Sequence, residues 1–326
     1  MKCPGIQTTS PRPLSNLPKP ATSESMRALR FALPLFALVP SLGAAQVLGR
    51  DAEVFTRSEP IARGESFRFY GAIGDITVTE GTGTQAEVRA EKILTRQGRV
   101  TDIGFIVRRS GDGVTICAVF EDDDECSDTG LRSERNRNWG RNFRPPQLHV
   151  TIRVPAGVRL RAHSGNGDVS VTGAFAEATA RSGNGRIRVS GTAGEVDAAS
   201  GNGEVTVESV RGPVSASSGN GDIRVTTVQG PVSASSGNGD LLVRMTELRA
   251  ADDMQFSTGN GRIEVTVPEG FSADIDASTG NGGIRTDFPL QVSGRISKTR
   301  LRGTIGQGGR RLRLVTGNGE IELRRG

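Results

Sequence analysis

The residues best placed to do chemistry in this 326-residue chain follow a repeated Gly-Asn-Gly triplet. The residue after each triplet is, in chain order, Asp168, Arg186, Glu204, Asp222, Asp240, Arg262, Gly283 and Glu320. Acidic residues at a regular spacing can supply the converging oxygen ligands that calcium requires. Arginine at two of these positions and glycine at a third interrupt such a row of ions. We therefore predict no metal site and keep a calcium-binding β-roll as one alternative.

Catalytic chemistry has little support in the sequence. An enzyme that acts on polysaccharides needs paired carboxylates, or a basic residue in a groove lined by aromatic rings. Trp139 and Tyr70 are the large polar aromatic residues, and the two histidines, His149 and His163, fall on separate predicted strands. The acidic residues are scattered rather than paired. We predict no catalytic residue, no cofactor and no enzymatic activity, and we keep a β-helix enzyme that acts on polysaccharides as a second alternative.

The triplets mark an internal repeat of about eighteen residues. Their central residues are Asn166, Asn184, Asn202, Asn220, Asn238, Asn260, Asn281 and Asn318, of which the first five are evenly spaced. A stretch that alternates apolar and polar residues follows, as at Ile187 and Val189, which is typical of a strand buried on one face. A second such stretch with smaller apolar residues, as at Val214 and Ala216, follows a glycine corner. One unit of two strands cannot bury its apolar face alone.

Stacked units can bury that face, with neighbouring strands ~4.8 Å apart. We predict an all-β fold, a single-domain parallel β-solenoid with two strands per rung and irregular capping rungs at both ends. Gly and Asn tolerate the positive φ angles of tight corners. Stacked asparagine side chains can also hydrogen-bond along the rungs, so we assign the eight asparagines to a structural ladder. Within it, Asn318, near the C-terminal end, is expected to contribute less than Asn202.

The N-terminal region has the layout of a secretory signal peptide. In residues 26–45, Arg27 and Arg30 precede an apolar run too short to span a bilayer comfortably, and small residues follow for cleavage. Residues 1–25 have no place in such a signal and are predicted to be a disordered, over-extended start. We predict cleavage near Ala45 and a mature protein outside the cytoplasm, periplasmic or secreted, without an integral membrane segment.

Residues 46–326 are predicted to form the solenoid domain. It comprises degenerate rungs at 50–120, a charged insertion at 121–146, regular rungs at 164–290 and C-terminal capping rungs at 291–326. In the degenerate part, "GAIGDITV" and "SGDGVTICAVF" imitate rungs, and "AEVRAEKI" follows the first of them as a second strand.

The insertion holds the chemistry that does not repeat. Cys117 and Cys126 flank its beginning and predict a disulfide in an oxidising compartment. The insertion concentrates acids, arginines and two aromatic residues, and arginine and tryptophan are enriched at interaction hot spots. Its candidate contacts with a partner are Arg137, Trp139, Arg141 and Phe143. A disordered, self-neutralising loop is the alternative.

The net charge argues against a nucleic-acid partner. The formal charge of +5 includes five basic residues and one acid in residues 1–45, so the chain after Ala45 carries +1. Nucleic-acid binding requires a concentrated basic surface. The outward rows of Ser, Thr, Asp and Arg instead suit envelope glycans or other envelope proteins.

The segments "VTIRVPAGVRLRAHSGNGDVSVTG" (150–173) and "VPEGFSADIDASTGNGGIRTDFPL" (267–290) carry a family resemblance. They resemble the signature of a bacterial β-strand-repeat family of unknown function labelled "putative adhesin". The resemblance covers nearly all of the chain after the signal peptide and implies an extracytoplasmic β-solenoid, with no catalytic residues to carry over. We therefore predict a non-enzymatic, exported envelope protein, an adhesin or binding scaffold that presents a flat polar face and a charged loop.

Overall fold

The computed structural model describes residues 46–96, 98–132, 146–248, 252–292 and 297–326. The predicted over-extended start and signal peptide, residues 1–45, lie outside the described residues. The described segments consist of strands and turns with one short 3₁₀ helix, Val100–Asp102. None of their helices is long and apolar enough to cross a membrane.

Nine strands precede the regular repeats: β1 Val47–Leu48, β2 Val54–Pro60, β3 Ser66–Gly81, β4 Gln85–Ile93, β5 Gly104–Ser110, β6 Gly113–Val119, β7 Glu125–Ser127, β8 Gly130–Arg132 and β9 Gln147–Pro155. Twelve strands form the regular repeats: β10 Arg159–Asn166, β11 Val169–Thr172, β12 Glu177–Asn184, β13 Ile187–Ser190, β14 Glu195–Asn202, β15 Val205–Val210, β16 Val214–Asn220, β17 Ile223–Val228, β18 Val232–Asn238, β19 Leu241–Arg244, β20 Met254–Asn260 and β21 Ile263–Val267. The remaining described strands are β22 Ala273–Asn281, β23 Ile284–Thr286, β24 Gln291–Val292, β25 Arg300–Ile305, β26 Arg311–Asn318 and β27 Ile321–Arg325.

Strands β10 to β21 form six stacked rungs, each with one strand in a first sheet (β10, β12 and so on) and one in a second sheet (β11, β13 and so on). Each strand pairs in parallel with its counterpart in the next rung, so Asn184 lies opposite both Asn166 and Asn202. A shift of one residue would turn the buried side chains to solvent, which fixes this register. The predicted parallel β-solenoid is confirmed.

The two sheets contribute side chains of unequal size to the core. The second sheet supplies valine and isoleucine, such as Val189 and Ile223, which are fully buried. The first sheet supplies many alanines, such as Ala198 and Ala216, which are also buried. Because large side chains face small ones, the sheets enclose one continuous apolar column along the stack. Each buried valine or isoleucine stabilises the fold by ~1.5–3 kcal/mol.

At the N-terminal end, strand β3 lies out of sequence order. Its first part pairs in parallel with β10 and its later part with β11, so residues 66–81 form a complete rung. On its other side β3 pairs in parallel with β6 and β9, which are the two halves of a further rung. The segment "GAIGDITV" is therefore part of a rung, as predicted. The segment "SGDGVTICAVF" supplies only half a rung, because the insertion separates it from β9.

The prediction for "AEVRAEKI", which forms strand β4, is wrong. This segment is not the second strand of a parallel rung but runs antiparallel between β9 and β2. Only three residues connect β3 to β4, and so short a connection returns the chain antiparallel, since a parallel return needs a long crossover. Strands β4 and β2 cover this end of the second sheet, while β5 and β1 cover the first.

At the C-terminal end, the prediction that residues 291–326 form capping rungs is wrong for residues 311–325. Strands β26 and β27, residues 311–325, lie between the rung of β20 and β21 and the rung of β22 and β23. The chain passes beyond this position, forms residues 273–286, and then returns to fill the gap. The end of the first sheet is formed by β25 and β24, which pair antiparallel. Asn318 therefore lies inside the stack, between Asn260 and Asn281.

Candidate binding surface

The Gly-Asn-Gly corner is built for close approach between rungs. The first strand of a rung runs on through the asparagine, and the turn falls on the second glycine, as at Gly203 with φ of 154°. A Cβ atom there would lie 2.1 Å from the carbonyl oxygen of Gly185, and one at Gly201 would lie 2.4 Å from that of Gly183. The asparagines do not adopt the positive φ expected of them at the corner, because continued strand pairing keeps them extended.

Eight asparagine side chains form a row along this edge, which we call the asparagine ladder. Their spatial order is Asn281, Asn318, Asn260, Asn238, Asn220, Asn202, Asn184 and Asn166. Each Nδ2 except that of Asn166 donates a hydrogen bond to the Oδ1 of the next asparagine in this order, over 2.6–2.8 Å. All eight residues are exposed. A primary amide has two N–H donors and two lone pairs, so members inside the ladder keep one donor and one lone pair for solvent or a partner.

A second, buried row was missed in the sequence, although its signal was present in the Ser or Thr that precedes every Gly-Asn-Gly triplet. Each hydroxyl donates to the carbonyl oxygen of a corner glycine in the adjacent rung, over 2.8–2.9 Å. The row comprises Ser164, Ser182, Ser200, Ser218, Ser236, Thr258, Thr316 and Thr279, all buried. It satisfies carbonyl groups that the turn removes from strand pairing.

The charged residues after the triplets pair with one another instead of converging on a metal. Arg186 donates to Asp168 from its backbone and its guanidinium, over 2.8 Å in both cases. Burial acts to raise the pKa of Asp168, but these hydrogen bonds outweigh it and hold that pKa below its usual value. Arg262 lies 3.6 Å from Asp240. Within the described segments, no group of three or more His, Cys, Asp or Glu side chains could hold a metal ion.

The outer side of the first sheet carries a flat patch of small hydroxyl side chains, which we call the serine face. It consists of Ser215, Ser217, Ser233, Ser235 and Ser257 on strands β16, β18 and β20, in adjacent positions of the parallel register. These residues are exposed or half-buried. Unlike the buried row, their hydroxyls have no side-chain hydrogen bond within the described part of the chain. The ion pair of Arg181 with Asp197 bounds the patch on one side, and strand β26 bounds it on the other, with Arg313 and Val315 at the matching positions.

The start of the insertion is ordered against the outer side of the first sheet. Cys117 and Cys126 form the predicted disulfide, with Cα atoms 5.8 Å apart. It joins β6 to the small hairpin of β7 and β8. Tyr70 donates its hydroxyl to the carbonyl oxygen of Asp128, and Arg108 donates to that of Cys126, over 2.9 and 2.6 Å. The hairpin covers a separate apolar cluster around the disulfide.

The other residues singled out from sequence are not gathered into one site. Arg137, Trp139, Arg141 and Phe143 lie outside the described residues, so their role stays a prediction. His149 lies in β9 of the second sheet and His163 in β10 of the first. The His163 ring packs edge-on against the Tyr70 ring, with centroids 6.1 Å apart. Partial burial and the nearby charge of Arg181 lower the pKa of His163.

The fold and this surface define an all-β repeat protein with a continuous solenoid core and capped ends. Residues 129–324 match the family described as "Toastrack DUF4097", and the chain belongs to that family. No catalytic activity is known for the family. No curated protein matches the chain.

Several solved structures resemble the chain at low sequence identity. One is a "putative adhesin" from Bacteroides fragilis, 15% identical over 84% of this chain and 97% of its own, with a TM-score of 0.43. Another "putative adhesin", from Parabacteroides distasonis, is 10% identical over 85% of this chain and 99% of its own, with a TM-score of 0.44. A "putative lipid binding protein" from the same organism is 11% identical over 84% of this chain and 97% of its own, with a TM-score of 0.41.

Proposed function

We propose that this chain is a non-enzymatic, exported cell-envelope protein that binds an extended glycan through its serine face. The observation that carries this proposal is five neighbouring hydroxyls on a flat sheet that form no hydrogen bond with any described side chain. Parallel pairing repeats them at ~4.8 Å along the stack. A long, flat polysaccharide offers hydroxyl groups that can donate to and accept from such a surface. Another envelope protein is the alternative partner.

The rigidity of the scaffold supports this function. Each serine-face strand is paired on both sides, and the buried hydroxyl row and the asparagine ladder join the same rungs. A surface that is ordered before binding loses little conformational entropy when the partner docks. Individually weak hydroxyl contacts can therefore add up over several rungs.

The arrangement of charges argues against the alternatives kept from sequence. A calcium β-roll needs free carboxylates that converge on an ion, whereas Asp168 and Asp240 accept hydrogen bonds from the following rung. A glycan-cleaving enzyme needs two free carboxyl groups on either side of a bond, and the acids along the corner edge are largely engaged by arginine.

Export is supported by the chemistry of the chain. The predicted signal peptide at 26–45 precedes a chain whose two remaining cysteines form a disulfide, and disulfides persist in oxidising compartments. We expect the mature protein to begin near Gln46 in the periplasm or outside the cell. N-terminal sequencing of protein recovered from extracytoplasmic fractions would measure this directly.

The test compares two pairs of surface variants. Ser217→Arg with Ser235→Arg places two long side chains on the serine face without touching the buried row or the ladder. Thr172→Arg with Ser190→Arg makes the same change on the outer side of the second sheet, at opposed positions of β11 and β13. Binding to purified envelope polysaccharides and to whole cells is measured by sedimentation. We expect the first pair to lose at least tenfold in affinity and the second to match the unaltered protein. Equal binding by all three proteins would refute the serine face as the site.

A third variant separates the serine face from the insertion. Residues 133–145 are replaced by a Gly-Ser segment of the same length, which removes Arg137, Trp139, Arg141 and Phe143 but keeps the disulfide hairpin. Under our proposal this variant binds like the unaltered protein. Loss of binding in this variant alone would assign recognition to the loop, where salt should weaken the arginine contacts.

A further inference from the structure

A cleft of about 510 Å³ opens on the outer side of the second sheet, on the opposite side of the solenoid from the serine face. Its lining includes Arg244, Thr266 and Arg324, which occupy matching positions in successive strands β19, β21 and β27. Thr266 is only 8% exposed, so two arginines flank a recessed hydroxyl. The volume lies in the range of small-molecule sites.

The cleft results from a break in the repeat. Strand β19 has four residues and ends at Arg244, whereas the strands on either side of it are longer: β17 has six residues, and β21 has five and continues to Val267. The next asparagine of the ladder comes 22 residues after Asn238 instead of eighteen. The second sheet therefore has a step at this rung, and the buried Met245 forms part of the floor.

The arginines that line the cleft differ in whether they have a partner within the protein. Arg324 lies 2.5 Å from Glu322 and 3.3 Å from Glu264. The guanidinium of Arg325 lies 5.2 Å from the centroid of the Phe288 ring. Arg244, in contrast, has no ion pair within the described part of the chain, although it is surrounded by side chains that make them. An arginine with free donors at the mouth of a cleft is suited to a carboxylate, which it can bind through two parallel hydrogen bonds.

We propose that this cleft binds an acidic sugar residue, with Arg244 holding the carboxylate. Glu264 and Glu269, which also line the cleft, accept hydrogen bonds from the sugar hydroxyls, and Thr266 completes the polar contacts. Pro268, above the buried Met245, offers apolar surface to the ring. The two glutamates disfavour a phosphate, because its charge of about −1.5 to −2 near neutral pH would be repelled by them.

This site goes beyond the proposed function. It lies on the other sheet, and it recognises one charged sugar unit, whereas the serine face binds the hydroxyl groups of an extended glycan. The experiment titrates the mature chain with D-galacturonate and D-glucuronate by isothermal calorimetry. The neutral D-galactose and D-glucose and inorganic phosphate serve as comparison ligands. Arg244→Gln removes the charge, and Arg188→Gln is the matched control on the same sheet, also exposed and without an ion pair in the described segments.

We expect at least one uronate to bind at least tenfold more tightly than its neutral counterpart and more tightly than phosphate. Arg244→Gln should reduce that affinity about tenfold, while Arg188→Gln leaves it unchanged. The Ser217→Arg with Ser235→Arg protein should bind the uronate normally. The serine-face hypothesis and the cleft hypothesis can therefore fail independently, the first in the sedimentation experiment and the second in the calorimetry. Equal binding of acidic and neutral sugars, preference for phosphate, or full affinity in Arg244→Gln would overturn the proposal.

Discussion

The regular middle of the stack and its two ends follow different rules of pairing. Between Glu177 and Arg244, each rung lies beside the rungs that precede and follow it in sequence. At the N-terminal end, residues 66–81 lie between two rungs that come later in the chain, and at the C-terminal end, residues 311–325 lie between two that come earlier. Repetition alone builds the middle, whereas pairing between distant parts of the chain closes the ends.

The different pairing at the ends protects the stack, because the open edge of a sheet can pair with another chain. Antiparallel strands cover both sheets at the N-terminal end and the first sheet at the C-terminal end. The inserted rungs attach these covers to the stack by pairing on both of their sides. The ends should therefore open as cooperative units, separately from the middle.

The largest expected effect is that of Gly203→Ala in the middle. The new Cβ would lie 2.1 Å from a backbone oxygen of the adjacent rung, and φ is 154°. Neither rung can move apart, because each is paired on both sides. We expect the free energy of unfolding to fall by about 3–5 kcal/mol, measured by chemical denaturation followed by circular dichroism.

Gly282→Ala makes the same change at the C-terminal end. Its Cβ would also lie 2.1 Å from a backbone oxygen, that of Gly319, at a φ of 147°. Strand β23 pairs only with β27 among the described strands, so this half of the rung can shift outward. The loss should be smaller than for Gly203→Ala by at least ~1 kcal/mol, and equal losses would contradict the distinction between middle and end.

Removing the disulfide tests whether the N-terminal end is a separate unit. Replacing Cys117 and Cys126 by alanine should destabilise that end by ~2–3 kcal/mol, the effect of closing a short loop in the unfolded chain. Hydrogen exchange should accelerate in β5 to β8 and stay slow in β14 to β17. Equal acceleration in both regions would show that the stack unfolds as one unit.

Removing one hydroxyl of the buried row in the middle of the stack should lower the stability of the protein. Ser218→Ala leaves the carbonyl oxygen of Gly203 without this donor and should cost ~1–2 kcal/mol. Ser217→Ala, one residue earlier on the opposite face, is the matched control and should change stability by less than ~0.5 kcal/mol. Thermal melts of both variants measure the contrast, and similar melting temperatures would refute a stabilising role for the row.

The asparagine ladder tests the order of rungs at the C-terminal end. Asn318 and Asn202 each have ladder hydrogen bonds on both sides, whereas Asn281 has one. Alanine at 318 or 202 should cost ~0.5–1.5 kcal/mol, and at 281 about half of that. This reverses the expectation from sequence that Asn318 contributes less than Asn202. A loss at Asn318 that matches the loss at Asn281 would contradict the inserted position of the last rung.

The smallest expected effect concerns a buried lysine at the N-terminal end. Lys92 donates hydrogen bonds to the carbonyl oxygens of Gly49, Arg50 and Val100, and burial together with the Arg50 charge lowers its pKa to about 8. Between pH 8 and 10 the unfolded chain holds this proton more strongly than the folded one, so stability should rise with pH. We expect a gain below ~1 kcal/mol, absent in Lys92→Met and retained in Lys298→Met.

The fold of the middle of the stack could be predicted because its sequence repeats at a constant spacing and alternates apolar and polar residues. The alternation at Val169 and Val171, or at Ile187 and Val189, specifies which side of each strand is buried, and the constant spacing specifies the register. The pairing of Cys117 with Cys126 was predicted for the same reason, since the two residues are close in sequence. The buried serine row escaped notice because serine before a glycine corner resembles an ordinary turn residue until its burial is seen.

The solenoid, its rung length and the buried face of each strand could be predicted from local pattern, because they depend on contacts between residues that repeat along the chain. The folded protein was needed to see that residues 66–81 and 311–325 insert between other rungs and that a step after Arg244 opens a cleft, because the rungs are so similar to one another. A segment such as "TGNGEIEL" offers the same strand edges and the same asparagine to every neighbour, so its partner depends on how the chain reaches it and on what closes the ends.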